Sequence, residues 1–329
     1  MQHIRRILVA IKDPKARSSP ALVKAAQLAH ACGADLELFH CIADTLYVDP
    51  PRRTGDVVRQ AERETRALCL EQLELIAGRL RRDGHRVTSS AEWDFPPHEG
   101  IVRRATRIGA DLIVAERHSR RHVAPWLLRY ADWELLRLSP VPVLLVKNRR
   151  AYARPAIVAA VDPTHAYAKP ENLDVQILRI AESFASSLNG SLHAVHAYPP
   201  IPVSTTLADW NTPKFAAHLR SEAAARAKVS VERLLHDLNI PPRRRHLIAS
   251  DPVSAIEKVT RRMGNAIVVM GAISRSGRER AFIGNTAERV LDHLRCDVLI
   301  VKPRNFPNRV PRTRRGPRNI ARFGFPETL

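Results

Sequence analysis

The stretch between residues 270 and 288 is where residue types and spacing could do chemistry. It reads Met270-Gly271-Ala272-Ile273-Ser274-Arg275-Ser276-Gly277-Arg278 and, after Phe282-Ile283, reaches Gly284-Asn285-Thr286-Ala287-Glu288. A strand-like run, Ala266-Ile267-Val268-Val269-Met270, leads into it, and Ala287 to Leu294 follow with helical spacing. A glycine-bearing loop in that setting is an anion seat. Where Cβ atoms are missing, backbone N–H groups approach phosphate oxygens, and the opening turn of the helix adds its own N–H groups and dipole. Gly271, Gly277 and Gly284 supply the bare backbone; Ser274, Asn285 and Thr286 supply side-chain donors. Arg275 and Arg278 add charge-assisted contacts to phosphate, worth at most a few kcal/mol each.

The residues for turning a ligand over do not accompany the loop. No Walker-type lysine follows the glycines, and the chain contains neither His-Glu-x-x-His nor Gly-x-Ser-x-Gly. No catalytic residue and no metal ligand are therefore assigned. His118 and His122 have helical i, i+4 spacing without a nearby carboxylate motif, and His40 and His196 read as structural residues at matching strand ends. Cys32, Cys41, Cys69 and Cys296 form no Cys-x-x-Cys pair, which points to reduced, mostly buried thiols.

The elements that must position the loop come from an internal repeat. Ile7 to Pro14 aligns without gaps with Ala156 to Pro163, each a buried strand ending in Asp-Pro. Leu36 to His40 recurs as Leu192 to His196, Gly109 to Val114 as Gly264 to Val269, and Val143 to Lys147 as Val298 to Lys302. Between these landmarks apolar residues recur at three-to-four spacing, including two long helices at about 56–82 and 214–239. Alternating strands and helices with continuous apolar strands predict a parallel sheet covered on both faces. Domains are expected at 1–149 and 150–303, with a basic, Pro- and Arg-rich segment at 304–329 reading as a flexible tail.

The repeat also carries a negative expectation for the first half. At the same offset Gly271 corresponds to Glu116, Gly284 to Arg129, Asn285 to Tyr130 and Thr286 to Ala131, so no part of the anion seat survives. Asp13 remains at the first strand end as turn chemistry, and Arg117, His118, Arg120, Arg121 and His122 form a basic edge for a different anion.

The 329 residues have the length of two domains of about 150, and the formal charge is +20. No stretch approaches the roughly 20 apolar residues of a membrane span, and the opening strand pattern is too short for a signal-peptide core, so a cytoplasmic address is expected. The charge, much of it in arginine clusters, attracts phosphates on nucleotides, nucleic acid or anionic lipid.

The segment from Gly271 to Asn285 resembles the nucleotide motif of the universal stress proteins, Gly-x2-Gly-x9-Gly-Ser/Thr. Its first and third glycines fall on Gly271 and Gly284; Ser274 stands at the middle glycine and Asn285 at the hydroxyl position, with Thr286 one place later. The tandem layout, the Arg275-Ser276-Gly277 turn, Gly284 to Glu288 and Asp292 to Asp297 are most similar to the E type, over residues 4 to 303. The resemblance implies an α/β protein of two tandem HUP-type, Rossmann-like domains, each a mostly parallel sheet with helices on both faces. It further implies ATP, with Mg, or a related phosphorylated ligand in the second domain, with Asp162 beside the adenosine and Ala197 lining the adenine side. Such a protein is a stress-response sensor or regulator with at most weak ATP hydrolysis, its halves packing as an intramolecular pseudo-dimer. A rival reading rests on charge: a non-enzymatic scaffold that binds nucleic acid or anionic lipid through its arginine clusters and tail.

Overall fold

The computed structural model describes residues 4–16, 19–48, 55–117, 125–164, 173–198, 213–272 and 285–321. The chain divides into two compact units, Ile4–Val143 joined by the chain from Pro307 onward, and Leu144–Phe306. No helix among the described residues is long and apolar enough to cross a membrane.

In the N-terminal unit the elements run β1 (Arg6–Ala10), α1 (Pro20–Cys32), β2 (Asp35–Ile42), β3 (Thr45–Val48), α2 (Gly55–Arg82), β4 (Val87–Trp93), α3 (Pro97–Ile108), β5 (Leu112–Glu116) and α4 (Pro125–Leu138). Its sheet has the order β4-β2-β1-β5, with every pairing parallel. Ile7, Leu8 and Val9 are fully buried. A strand covered on both faces needs such an unbroken apolar run, and each large side chain so buried contributes about 1.5–3 kcal/mol. The helix start is written locally at α1. Ser19 caps it by accepting from the Leu22 amide at 3.2 Å, Pro20 takes the first turn, and Gly33 closes it at φ 66°.

After β6 (Val143–Val146), at the boundary between the units, the C-terminal unit repeats the plan. It runs β7 (Ala156–Ala160), α5 (Leu173–Ser187), β8 (Ser191–Tyr198), α6 (Pro213–Leu234), β9 (Arg245–Ala249), α7 (Pro252–Arg261), β10 (Ala266–Gly271), α8 (Asn285–His293) and β11 (Asp297–Val301). The order β11-β10-β7-β8-β9 is again parallel throughout. The turn after β6 is tied down by buried Asp297, whose carboxylate accepts from the amides of Lys147 (2.8 Å) and Asn148 (2.9 Å) and from the Tyr152 hydroxyl (2.7 Å).

The sheet register revises the repeat by one residue at the first strand. Ile7 pairs with Leu112, whereas Ile157, not Ala156, pairs with Ile267. The Ile11 amide donates to Phe39 O and the Val161 amide to Val195 O, which again equates Ile11 with Val161. Asp162 therefore occupies the place of Lys12, and the shared Asp-Pro dipeptide is out of step between the halves.

The tail expectation also gives way over residues 307–321, while 322–329 lie outside the described residues. Residues 307–317 dock on the N-terminal unit, and β12 (Arg318–Ala321) pairs in parallel with β3. The physical reason lies in α3 and β4, which carry a knot of opposite charges. Arg103, 4% exposed, pairs with Asp94, 2% exposed, and with Glu99 at 3.3 Å. Arg104 bridges Glu37 and Glu92, and Arg107 also holds Glu92. Against this knot the Pro311 carbonyl accepts from Arg103 Nε (2.6 Å), the Arg315 amide donates to Asp94 (3.1 Å), and the Arg315 guanidinium reaches Glu99 (2.9 Å). Composition that cannot build a core of its own is ordered here by a charged partner.

Candidate functional site

At the carboxyl edge of the C-terminal sheet lie three of the residues singled out by sequence, Asp162, Ala197 and Gly271. Ala160 lies level with Met270 on one side and Val195 on the other, so Asp162 and Ala272 emerge just beyond the ladder, level with Ala197, which is still paired with Ile248 of β9. In parallel α/β sheets this is the edge where ligands bind, because loops and helix N-termini converge there.

Asp162 is held by its surroundings. Its amide donates to the Asp174 carboxylate at 3.2–3.3 Å, its Oδ1 accepts from the Thr164 hydroxyl at 3.0 Å, and 29% of its side chain is exposed. Buried His196 places Nδ1 3.2 Å from the Val161 carbonyl and 3.9 Å from Asp162 Oδ1. A carbonyl only accepts, so Nδ1 carries the proton and its positive edge lies toward the carboxylate. His40 repeats the contact in the N-terminal unit, with Nδ1 2.8 Å from Ile11 O, as expected of a structural residue. Ala197, on β8, is a small, partly exposed side chain level with Asp162.

Gly271 and Ala272 have protein partners of their own. A Cβ on Gly271 would stand 2.6 Å from Leu173 Cδ2 and 3.4 Å from Ile177 Cδ1, so this glycine lets α5 pack onto β10. The Ala272 amide donates to Val301 O (3.4 Å), and its carbonyl accepts from buried Lys302 Nζ (2.7 Å). The start of the loop is thus committed to the fold, and amides for an anion have to come from residue 273 onward. Ser274, Arg275, Gly277 and Gly284 lie outside the described residues. Asn285 and Thr286 open α8, whose side chains are described only from residue 287.

The matching edge of the N-terminal unit has different chemistry. Lys12 stands in the place of Asp162 and Glu116 in that of Gly271, and Lys12 Nζ lies 3.7 Å from Asp132 on α4. Burial brings the Lys12 ammonium down to about 8, against the opposing pull of Asp132 and Glu116. Charge at the key strand end is reversed, and a lysine–carboxylate pair sits there.

Several features were not evident from spacing. His193 and His246 stack at 5.4 Å between centroids with Nδ1 and Nε2 3.1 Å apart, and Ser191 Oγ lies 3.1 Å from His193 Nε2. Burial, with His246 and Arg244, lowers His193 to about 4, and burial lowers His246 as well. Their spacing of 53 residues gave no signal; only the β8–β9 pairing unites them. A groove of about 470 Å³ between α1 and α2, lined in part by Leu22, His30, Ile76 and His85, contains none of the selected residues. Among the described residues no three His, Cys, Asp or Glu side chains are placed to hold a metal. All four cysteines are free and half-buried rather than buried, and burial raises the Cys41 and Cys296 thiols, which makes them poor nucleophiles. His118 and His122 lie outside the described residues.

Duplicated parallel sheets, each ending at a carboxyl edge flanked by a helix opening, define a tandem Rossmann-like α/β protein. The chain belongs to the Universal stress protein family, whose model matches residues 3–147 and 156–302. It is similar to Universal stress protein E of Photorhabdus laumondii subsp. laumondii, 27% identical over 93% of this chain and 97% of that protein. It is also similar to Universal stress protein E of Escherichia coli (strain K12), 28% identical over 93% and 96%. Among solved structures, a functionally unknown protein from Pseudomonas aeruginosa PAO1 shares 25% identity over 92% of this chain and 94% of that one, with a TM-score of 0.69. A universal stress protein from Archaeoglobus fulgidus DSM 4304 shares the fold at 16% identity, 92% and 98% coverage and a TM-score of 0.56.

Proposed function

We propose that the C-terminal unit binds ATP, with Mg, or a related phosphorylated ligand at the carboxyl edge of β7, β8 and β10, and that the protein acts as a stress-response sensor or regulator without dedicated catalytic machinery. The observation that carries this reading is the convergence of Asp162, Ala197 and the β10 end on one edge from which the chain enters the loop leading to α8. In this reading the partly exposed Asp162 carboxylate accepts hydrogen bonds from sugar hydroxyls, and small Ala197 admits the flat base. Ser274, Arg275, Gly277, Gly284, Asn285 and Thr286 surround the phosphates, with the α8 N-terminus supplying a favourable dipole. Mg neutralises phosphate charge when bound with the nucleotide; this chain's part is to position and shield the anion. What supports such a ligand among the described residues is the partly exposed Asp162 carboxylate with small Ala197 level with it; the sequence that follows β10 supplies glycines, donors and arginines for the phosphates.

Calorimetric titration with Mg-ATP tests the reading in the intact protein. Wild type is expected to bind. Asp162→Ala should weaken binding about 10- to 100-fold, the loss expected when a hydrogen-bonded charged partner is removed. Gly284→Arg should abolish binding, and Glu116→Gln in the other unit should leave it unchanged. Equal heats from wild type and Gly284→Arg would end the proposal.

A further inference from the structure

We infer that residues 307–321 are a polyanion-binding strap, parked on the acidic cluster of the N-terminal unit and released from it when an anionic polymer takes up its arginines. The inference goes beyond the nucleotide site and uses other residues. Its first support is how weakly the strap is held. Arg314 meets Glu92 at 3.6 Å and Arg315 meets Glu99 at 2.9 Å, yet both arginine side chains are more than half exposed, at 54% and 55%. Ion pairs this open contribute little and are screened by salt. Asn308 adds a hydrogen bond to Thr106 at 3.2 Å, and Val310 is the buried apolar anchor between residues 307 and 315. With one buried apolar side chain, the segment is held chiefly by the part-buried bonds to Arg103 and Asp94 and by the short β12–β3 pairing, and so belongs to the low-stability end of the structure.

The second support is that leaving strands no buried charge. Asp94 and Glu99 keep Arg103 as partner, and Glu92 keeps Arg104 and Arg107. The large penalty for breaking a buried pair, an orphaned charge in low dielectric, therefore does not apply. Arg103 loses the Pro311 carbonyl but gains access to water as the strap lifts. The third support is the strap's outer face, where Arg309 and Arg312 are exposed beside Arg314 and Arg315. The docked strap thus presents guanidinium groups to solvent on a chain of net charge +20, and a polymer of phosphates can gather the inner arginines from the outer ones.

Hydrogen exchange on the full chain tests this with inorganic polyphosphate as probe and sodium chloride or orthophosphate at matched ionic strength as controls. The readout is residues 45–48, because β3 pairs with β12 and contains no arginine that the probe could shield directly. Polyphosphate should speed exchange there about tenfold, and the matched controls should do so far less. Arg314→Ala/Arg315→Ala should speed exchange there only slightly without any probe and should remove most of the further increase that polyphosphate causes. Arg309→Glu/Arg312→Glu, which changes only exposed positions, should lower polyphosphate affinity while β3 stays protected. Failure to bind polyphosphate, or binding that leaves exchange at 45–48 unchanged or slower, overturns the inference.

Discussion

Replacing Gly271 with alanine separates two reasons for a glycine at this position. The added Cβ would lie 2.6 Å from Leu173 Cδ2 and 3.4 Å from both Leu173 Cγ and Ile177 Cδ1, and both side chains are almost fully buried. Overpacking of this kind costs about 1–3 kcal/mol. Leu173→Ala alone should cost about 2–5 kcal/mol through lost burial and a cavity. In the double variant the new methyl occupies part of the space that leucine vacates, so the two costs should fall short of their sum by about 1 kcal/mol or more. Urea denaturation of all four proteins, followed at the transition of the C-terminal unit, measures this cycle. Strict additivity would refute the packing explanation. A Gly271→Ala protein of unchanged stability but lost nucleotide binding would return the glycine to the phosphate cradle.

Other expectations follow from the buried charges. Burial holds His98 down at about 4, with Glu134 opposing and Arg137 and Arg315 adding to the depression. The unfolded chain takes up this proton near pH 6.5 and the folded one only near 4, so stability is full above about 6.5 and falls by roughly 3 kcal/mol as pH drops to 4. His98→Gln should flatten that part of a melting-temperature profile; an unchanged slope would place the proton uptake elsewhere. Arg103→Met strands Asp94 and should cost about 3–5 kcal/mol, whereas Arg103→Met/Asp94→Leu should recover much of it, both read from denaturation midpoints. Asp297→Ala removes an acceptor shared by two amides and the Tyr152 hydroxyl and should cost at least about 3 kcal/mol, while Tyr152→Phe alone should cost about 1–1.5 kcal/mol.

The strand runs were legible because a strand buried on both faces leaves unbroken β-branched residues, as in Ile267-Val268-Val269, and the long helices were placed within a few residues, α2 at Gly55–Arg82 and α6 at Pro213–Leu234. Register was not legible. The Asp-Pro pair occurs in both halves and drew the alignment one residue out, and only the ladder shows Lys12 standing where Asp162 does. Gly271 was found but its reason was not, since spacing cannot distinguish room for a phosphate from room for Leu173. The tail was misread because its partners, Asp94 and Glu99, lie more than 200 residues earlier in the chain. Local composition reports what a segment cannot bury, and says nothing about a distant carboxylate.

The way the chain returns to where it started bears on how the protein is made. Thr45 emerges from the ribosome long before Arg318, 273 residues later in the chain, and β3 lacks its strand partner until then. Pairings over such a span are slow to form, because a long loop has to close first. A nascent chain stopped anywhere before residue 307 would therefore carry its N-terminal unit with that strand still missing, so the half synthesised first is completed only after the second half has been translated.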